Sequence, residues 1–362
     1  MKILQVINSL GTGGAEKLIV ETVPLIQRFP KVKIDILLLN GIETPFLKQL
    51  KESNNFNCFS LGKSFYNPLY ILKLIKYIRK YDIVHVHLFP SMYFTVLAKC
   101  LSLSNVKLVF TEHNTENNRL NNPKFRLIEK WIYGHYKKII CITPEVKNAL
   151  KTKLNIKDSK LNVIYNGINI SNIKKAVISD RKLFNYSTED KLLIMVAGFR
   201  EQKDHDTVLH ALSKLPNNYK LILVGDGERK GKIENLAKEL GLEERIKFLG
   251  IRTDVYSLFK MSDIAIMSSH WEGFGLAAAE AMACGVPTIA SNVEGLAQVV
   301  EDGGLLFEKK NIIDLVQKIT LLENREYYNE IKAKSIIKAS QYDIDKMVDH
   351  IVQVYKDALA NK

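Results

Sequence analysis

Cysteine is scarce in this chain. Four are present in 362 residues, Cys58, Cys100, Cys141 and Cys284. No two of them stand at a metal-ligand or redox spacing, and four are too few for a disulfide framework. That excludes a stapled secreted scaffold and argues against a zinc centre; it fits a reducing, cytoplasmic compartment. Long apolar runs are missing as well, and nothing approaches the ~18 consecutive apolar residues that a membrane span needs. The opening MKILQVINSL gives way to GTGGAEK rather than to a small-residue cleavage site, so it reads as a strand and a glycine turn, not a secretory signal. The spacing G-x-G-x-x-G is absent from that turn, which weakens a nicotinamide-dinucleotide reading. No basic–aromatic recognition motif speaks for nucleic acid as a partner.

Acid is short in one region only. Residues 1–160 hold 25 Lys and Arg against 11 Asp and Glu, whereas the remainder holds 27 against 28, so the formal net charge of +13 belongs to the first part. A one-sided basic region favours an anionic partner, such as a membrane surface, a phosphorylated substrate or nucleic acid. An Asn-, Ile- and Lys-rich background with solvated lysines gives the same imbalance, and charge alone does not separate the two. Hydrophobic residues at 46% and charged residues at 25% are ordinary for a globular protein and exclude disorder, collagen and low complexity.

At this length two domains are expected. Short apolar runs alternate with helical patterns in both halves. The runs start at Ile3, Ile34, Asp82, Lys107 and Lys138 in the first half, and at Lys191, Tyr219, Ile246, Asp263 and Val286 in the second. Near-continuous apolar runs suit strands covered on both faces, and intervening helices imply right-handed crossovers and parallel sheets. The class is α/β, with two Rossmann-like domains. The join is expected near 165–190, a polar stretch without a clean period. The last segment has helical spacing at Met347, Ile351, Val352, Tyr355 and Leu359.

The most informative stretch is SSHWEGFGLAAAEAMACGVPTIAS, residues 268–291. A strand ends near Ser268, Gly273 and Gly275 open a turn, and a small-residue helix runs from about Leu276 to Ala283. Gly285 suits the position just past that helix and Pro287 enforces the stop. The helix start offers backbone N–H groups at the carboxyl edge of a parallel sheet, where such sheets bind ligands. Glu280, in its first two turns, suits a ribose, and Glu272 suits a sugar hydroxyl.

These residues resemble the signature of the retaining family-4 glycosyltransferases of GT-B fold, E-x7-E followed by A-M-A-x-G-x-P, matched here by Glu272, Glu280, Ala281, Met282, Ala283, Gly285 and Pro287. GTGGAEK (Gly11–Lys17), YNGI (Tyr165–Ile168), LVGDGE (Leu223–Glu228) and FLGIRTDV (Phe248–Val255) also look like family segments. The resemblance implies a GT-B architecture, two Rossmann-like domains facing across a cleft. Residues 1–170 would form the acceptor domain, joined by a returning helix over 344–362, and 171–343 the nucleotide-sugar domain.

It implies a transferase that moves a hexose or N-acetylhexosamine from a UDP-sugar, with retention, to a hydroxyl of a lipid-linked surface-glycan intermediate (capsule, O-antigen or exopolysaccharide). Glu280 would bind ribose, and Glu272 would orient the sugar. Backbone donors at Gly13 and Gly14, and at Gly273, Phe274, Gly275 and Leu276, would meet phosphate or sugar. Lys203 and Arg200 would neutralise the departing diphosphate, as two cations do for growing negative charge. In the family an Arg stands five residues before the Lys; Gly198 holds that place here, so Arg200 is the substitute. His113, at a strand end in FTEHN, would close the sugar site. No Asp-x-Asp motif accompanies these residues, and no metal or other cofactor is expected.

The basic first domain would lie on the anionic inner face of the cell membrane, as a cytoplasmic, peripheral protein. Two segments suit such contact, although an apolar helix face is more often core packing. One is 67–81, with Leu69, Leu72, Ile75 and Ile78 lining one side; the other is 122–138, with Trp131, Tyr133 and Tyr136. His85 and His87 are read as pointing to opposite faces of their strand, and no role falls to them. The competing readings are a nucleotide-sugar epimerase of the same architecture, a non-catalytic relative (which Gly198 favours) and, more remotely, a nucleic-acid-binding protein.

Overall fold

A computed structural model describes residues 1–52, 56–114 and 118–360. It is α/β, with two compact units, Met1–Gly167 with Ile344–Lys362 and Ile168–Asp343. The first unit holds β1 (Lys2–Ile7), β2 (Lys33–Asn40), β3 (Cys58–Gly62), β4 (Ile83–His87), β5 (Lys107–Glu112), β6 (Lys138–Cys141) and β7 (Leu161–Val163). They form one sheet in the order β3-β2-β1-β4-β5-β6-β7. The second unit holds β8 (Lys191–Val196), β9 (Tyr219–Val224), β10 (Ile246–Phe248), β11 (Ile264–Met267), β12 (Thr288–Ser291) and β13 (Leu305–Phe307), ordered β10-β9-β8-β11-β12-β13. Among the described residues, every pairing between these strands is parallel.

The apolar runs explain the inner strands. β4 and β11 are buried throughout, and β1 is buried after its first residue. Helices cover both faces, so alternate positions are all withdrawn from water. In each sheet the strand order reverses once, at β1/β4 and at β8/β11. Loops leaving the carboxyl ends of two such strands diverge to opposite faces and leave a crevice, the usual ligand position in open α/β sheets. Three strands were not anticipated from the sequence: β3, β7 and β13. Each is an edge strand of three to five residues, largely half-exposed, and so lacks a long apolar run.

The C-terminal helix Ile344–Ala360 belongs to the first unit. It buries Met347, Val348, Ile351, Val352, Tyr355 and Ala358, while Leu359 stays at the rim. Residues 361–362, included in the expected span of this helix, lie outside the described residues. The segment 67–81 forms a helix over Tyr70–Ile78 only, and its buried residues are Tyr70, Leu74 and Ile78. Leu69 and Leu72 were read on one side with Ile78; Ile78 is buried, whereas Leu69 and Leu72 are 61% and 60% exposed, roughly across the helix from the buried stripe. Helix Pro123–Gly134, capped by the Asn122 side chain, buries Glu129, Ile132 and Tyr133 and exposes Phe125, Leu127, Ile128 and Trp131. Tyr133 and Tyr136 are core residues, not interface aromatics. No helix among the described residues is long and apolar enough to cross a membrane.

Candidate active site

In the second unit, the loops after β8 and β11 are laced together at the switch point. The Ser268 hydroxyl donates to the Asp204 carbonyl at 2.7 Å. His270 N–H donates to the Gln202 carbonyl at 2.7 Å, and the Gln202 amide donates to the Trp271 carbonyl at 2.8 Å. Asp204, in the left-handed region at φ 46°, caps helix His205–Lys214 and accepts the Thr207 hydroxyl at 2.7 Å. Backbone strain of this kind is tolerated where the surroundings over-determine it.

This lacing brings Lys203 onto Glu272: the ammonium and Oε2 form an ion pair with side chains 22% and 16% exposed. Ser269 donates to the same oxygen at 3.3 Å, and Gly273 N–H to Oε1 at 3.2 Å. Gly295, at φ 83°, backs this loop; a Cβ there would collide with the Glu272 carbonyl. The next helix is Leu276–Ala283, with left-handed Gly275 (φ 84°) as its N-cap and Gly285 (φ 74°) following it. No side chain caps its start, and the Ala278 and Ala279 N–H groups close on the Gly275 carbonyl at 2.9 and 3.2 Å. Phe274 is buried, its ring edge-on to Tyr342 at 5.2 Å. Glu280 is buried in the second turn, where the Tyr256 hydroxyl donates to Oε1 at 3.2 Å.

Arg200 precedes the 3-10 turn Glu201–Lys203 and is exposed. Its Nε lies 3.8 Å from the point where a side chain at Gly198 would begin. The guanidinium stem therefore occupies the neighbourhood that the expected arginine would start from.

In the first unit, Gly13 is the N-cap of helix Gly14–Ile26, which follows β1. The Glu16 carboxylate lies against Gly13, at the positive end of that helix. An anion bound there would have to displace it. Asn8, just past β1, donates to the Phe89 carbonyl at 2.6 Å and accepts the Ser91 hydroxyl at 2.7 Å, tying the loops of β1 and β4 together.

His113 is half-buried just beyond β5, and it is not alone. His87 Nδ1 lies 3.0 Å from His113 Nε2, and His85 and His87 have ring centroids 4.2 Å apart. The expectation of opposite faces is therefore wrong: residues two apart on a strand share a face. Burial holds all three histidines neutral: it lowers His113 to about 4, lowers His85 to about 3, and takes His87 well below its ordinary value.

Tyr256 and Ser269 escaped the sequence reading, although Tyr256 directly follows FLGIRTDV and Ser269 opens the E-x7-E loop. Gln5, His87 and Tyr355 escaped it because their contacts join segments far apart in the chain.

The family described as "Glycosyl transferases group 1" matches residues 178–357, and "Glycosyltransferase Family 4" matches 12–172. The N-acetyl-alpha-D-glucosaminyl L-malate synthase of Bacillus anthracis is 31% identical over 77% of this chain and 75% of its own. A Campylobacter jejuni enzyme named N-acetylgalactosamine-N,N'-diacetylbacillosaminyl-diphospho-undecaprenol 4-alpha-N-acetylgalactosaminyltransferase is 27% identical over 98% of this chain and 97% of its own. Among solved structures, Anabaena HepE in complex with UDP and glucose superposes with TM-score 0.84 at 22% identity, covering 99% of this chain and 100% of that one.

Proposed function

The chain belongs to the group 1, family 4 glycosyltransferases, and on that premise we propose that it moves a hexose or N-acetylhexosamine from a UDP-sugar, with retention, to a hydroxyl of a lipid-linked surface-glycan intermediate. The observation that carries the reading is the Lys203–Glu272 pair beside the uncapped helix Leu276–Ala283, at the switch point of the second sheet. Glu280, steadied by Tyr256, accepts from the ribose hydroxyls. Lys203 leaves Glu272 for the diphosphate, Arg200 joins it, and the two cations stabilise the charge that grows as the sugar departs. Glu272, released from Lys203, accepts from the sugar hydroxyls. Gly273, Phe274, Gly275 and Leu276 offer backbone N–H groups, as Gly13 and Gly14 do in the first unit once Glu16 moves aside. His113 accepts a hydroxyl of the transferring sugar. Retention follows from substitution on one face, the leaving phosphate taking the acceptor's proton. No metal takes part, because lysine and arginine supply the positive charge.

The acceptor and the surface belong to the same proposal. A lipid-linked acceptor is supported by the Campylobacter relative, whose name places its sugar on a diphospho-undecaprenol. A cytoplasmic, peripheral position at an anionic membrane is supported by the first unit's surface. Helix Tyr70–Ile78 and its approach expose Phe65, Tyr66, Leu69 and Leu72 beside Lys63, Lys73 and Lys76. Helix Pro123–Gly134 exposes Phe125, Leu127 (78%), Ile128 and Trp131 beside Lys124, Arg126 and Lys130. Clustered apolar surface rimmed by lysine suits a headgroup interface.

The test is turnover. The purified chain is given UDP-glucose, UDP-galactose and their N-acetylamino forms, with and without sugar-diphosphate-undecaprenol acceptors, in buffer containing EDTA. Acceptor-dependent UDP release and an α-linked product are expected. UDP release that ignores the acceptor, an inverted anomer, or silence restored by Mg2+ would each remove one part of the reading. Thermal unfolding with UDP and GDP reads the base separately: a ligand at 100 times its Kd stabilises by about 2.7 kcal/mol.

A further inference from the structure

The three histidines of the first unit end a longer chain of buried polar groups. Gln5 lies on β1, and its Oε1 is 2.8 Å from His87 Nε2. Its Nε2 donates to the Tyr355 hydroxyl at 3.0 Å. Tyr355 is 2.7 Å from His85 Nδ1, and His85 Nε2 is 2.7 Å from the Thr111 hydroxyl. Gln5, His85, His87, Thr111 and Tyr355 are each no more than 5% exposed. The run is therefore Thr111, His85, Tyr355, Gln5, His87, His113, with water excluded from all but its last member.

Each link constrains the next, because every buried donor needs an acceptor. An amide oxygen can only accept, so His87 must carry its proton on Nε2. Its Nδ1 is then a bare acceptor, and His113 must donate from Nε2. That leaves His113 Nδ1 without a proton, and among the described residues it takes no hydrogen bond. On the other side, the Gln5 amide nitrogen donates to the Tyr355 oxygen, so Tyr355 donates to His85 Nδ1, and His85 donates from Nε2 to Thr111. All three rings thus hold the same tautomer. Reversing the amide reverses every bond at once and would put a proton on His113 Nδ1. No mixed arrangement satisfies the whole run.

We propose that Gln5 sets the tautomer of His113 through His87, and that Tyr355, on the C-terminal helix, couples the Gln5 amide to His85 and Thr111 so that the whole run holds one direction. Gln5, His87 and Tyr355 are positioning residues. They keep His113 Nδ1 an acceptor for a hydroxyl, and they tie the function of residue 113 to the docking of a helix more than 230 positions away. The inference rests on the reading of His113 as a sugar-site residue. Neutrality of the rings supports it, since an imidazolium would have two donors and break the run.

The test uses the full chain labelled with 15N-histidine. Long-range proton–nitrogen correlation distinguishes protonated from bare ring nitrogens. In the native protein His113 should show a bare Nδ1 and a protonated Nε2. In Gln5→Leu and, independently, Tyr355→Phe, the His113 signal should move toward a mixture. kcat should fall roughly tenfold with the donor KM little changed, the pattern of a lost tautomer rather than a lost contact. A protonated Nδ1 in the native chain would overturn the proposal outright. An unmoved His113 pattern in both variants, with His113→Ala inactive, would overturn the wiring alone. Full turnover in His113→Ala would overturn the reading of His113 on which the inference stands.

Discussion

The two units place their candidate groups at corresponding points of their sheets and use opposite chemistry there. In the second unit, whose residues carry almost no net charge, the β8/β11 switch point holds an ion pair, Lys203 with Glu272. In the strongly basic first unit, the β1/β4 switch point leads into a run of neutral rings, an amide and hydroxyls. Net charge thus says little about where functional charge sits. The first unit's lysines lie on its surface, whereas its interior keeps histidines uncharged by burial. On the proposed reading, the charged pair would meet a diphosphate and the neutral directional run a sugar hydroxyl.

The largest expected effect breaks the charged half. Lys203→Met should lower kcat by roughly 100- to 1,000-fold, the usual loss when a group that stabilises developing charge is removed. It also strands the mostly buried Glu272 carboxylate, so the unfolding midpoint of the second unit should drop. Lys203→Met with Glu272→Gln should recover that midpoint and leave turnover low. Recovery of both would mean that the pair serves the fold only.

The neutral half makes a prediction about acid. A histidine held below its ordinary value in the folded chain takes up a proton when the chain unfolds. Its contribution to stability is complete above about pH 6.5 and is lost as pH falls toward about 4, the value for His113. Each such histidine adds about 1.4 kcal/mol per pH unit to the slope in that window. Denaturant unfolding between pH 7.5 and 4.5 should show that slope, and His113→Asn should remove one proton's share of it. An unchanged slope in His113→Asn would mean that His113 is already protonated in the native protein.

A smaller effect concerns Arg200. Arg200→Ala should cost about tenfold or somewhat more in kcat, because Lys203 remains to meet the charge. Gly198→Arg should restore part of it. A Cβ at Gly198 comes no nearer than 3.4 Å to the Asp226 carbonyl, so a side chain fits, and it would start 3.8 Å from the Arg200 Nε. Failure of the double variant to regain any turnover would mean that only position 200 reaches the diphosphate.

Legibility in the sequence followed burial and locality. Ten strands were readable as apolar runs, nine of them inside a sheet and β10 at an edge. β3, β7 and β13 were not, since they are short, half-exposed edge strands with little apolar surface. The loop and helix around Glu272 and Glu280 were readable because glycine, alanine and proline mark turns, close packing and helix ends locally. The Lys203–Glu272 pair was not, because ion pairing depends on how two loops are laced across the sheet. The histidine run was misjudged at its one local step, the shared face of His85 and His87. Its other steps are tertiary: Gln5 meets Tyr355 across 350 positions, and no periodicity announces that. Leu69 and Leu72 show the same limit. Helix 70–78 carries apolar residues on two sides, and only packing decides which side is core.

That exposed side carries the prediction with the least effect on turnover, and it also tests whether the basic half's charge acts at its surface rather than at its site. Each lysine near an anionic surface contributes about 1 kcal/mol, and the interaction fades within a Debye length. Replacing Lys63, Lys73 and Lys76 with Gln should therefore weaken flotation with phosphatidylglycerol vesicles by up to about two orders of magnitude, and raised salt should do the same to the unaltered chain. Leu69→Ser with Leu72→Ser should weaken binding at any salt, because buried apolar area is not screened. Turnover of a short, water-soluble acceptor should be untouched by either set, since none of these side chains belongs to the switch points. Equal binding to neutral and anionic vesicles would assign the surface to apolar contact alone, and the lysine excess of the first unit would then be ordinary solvated surface.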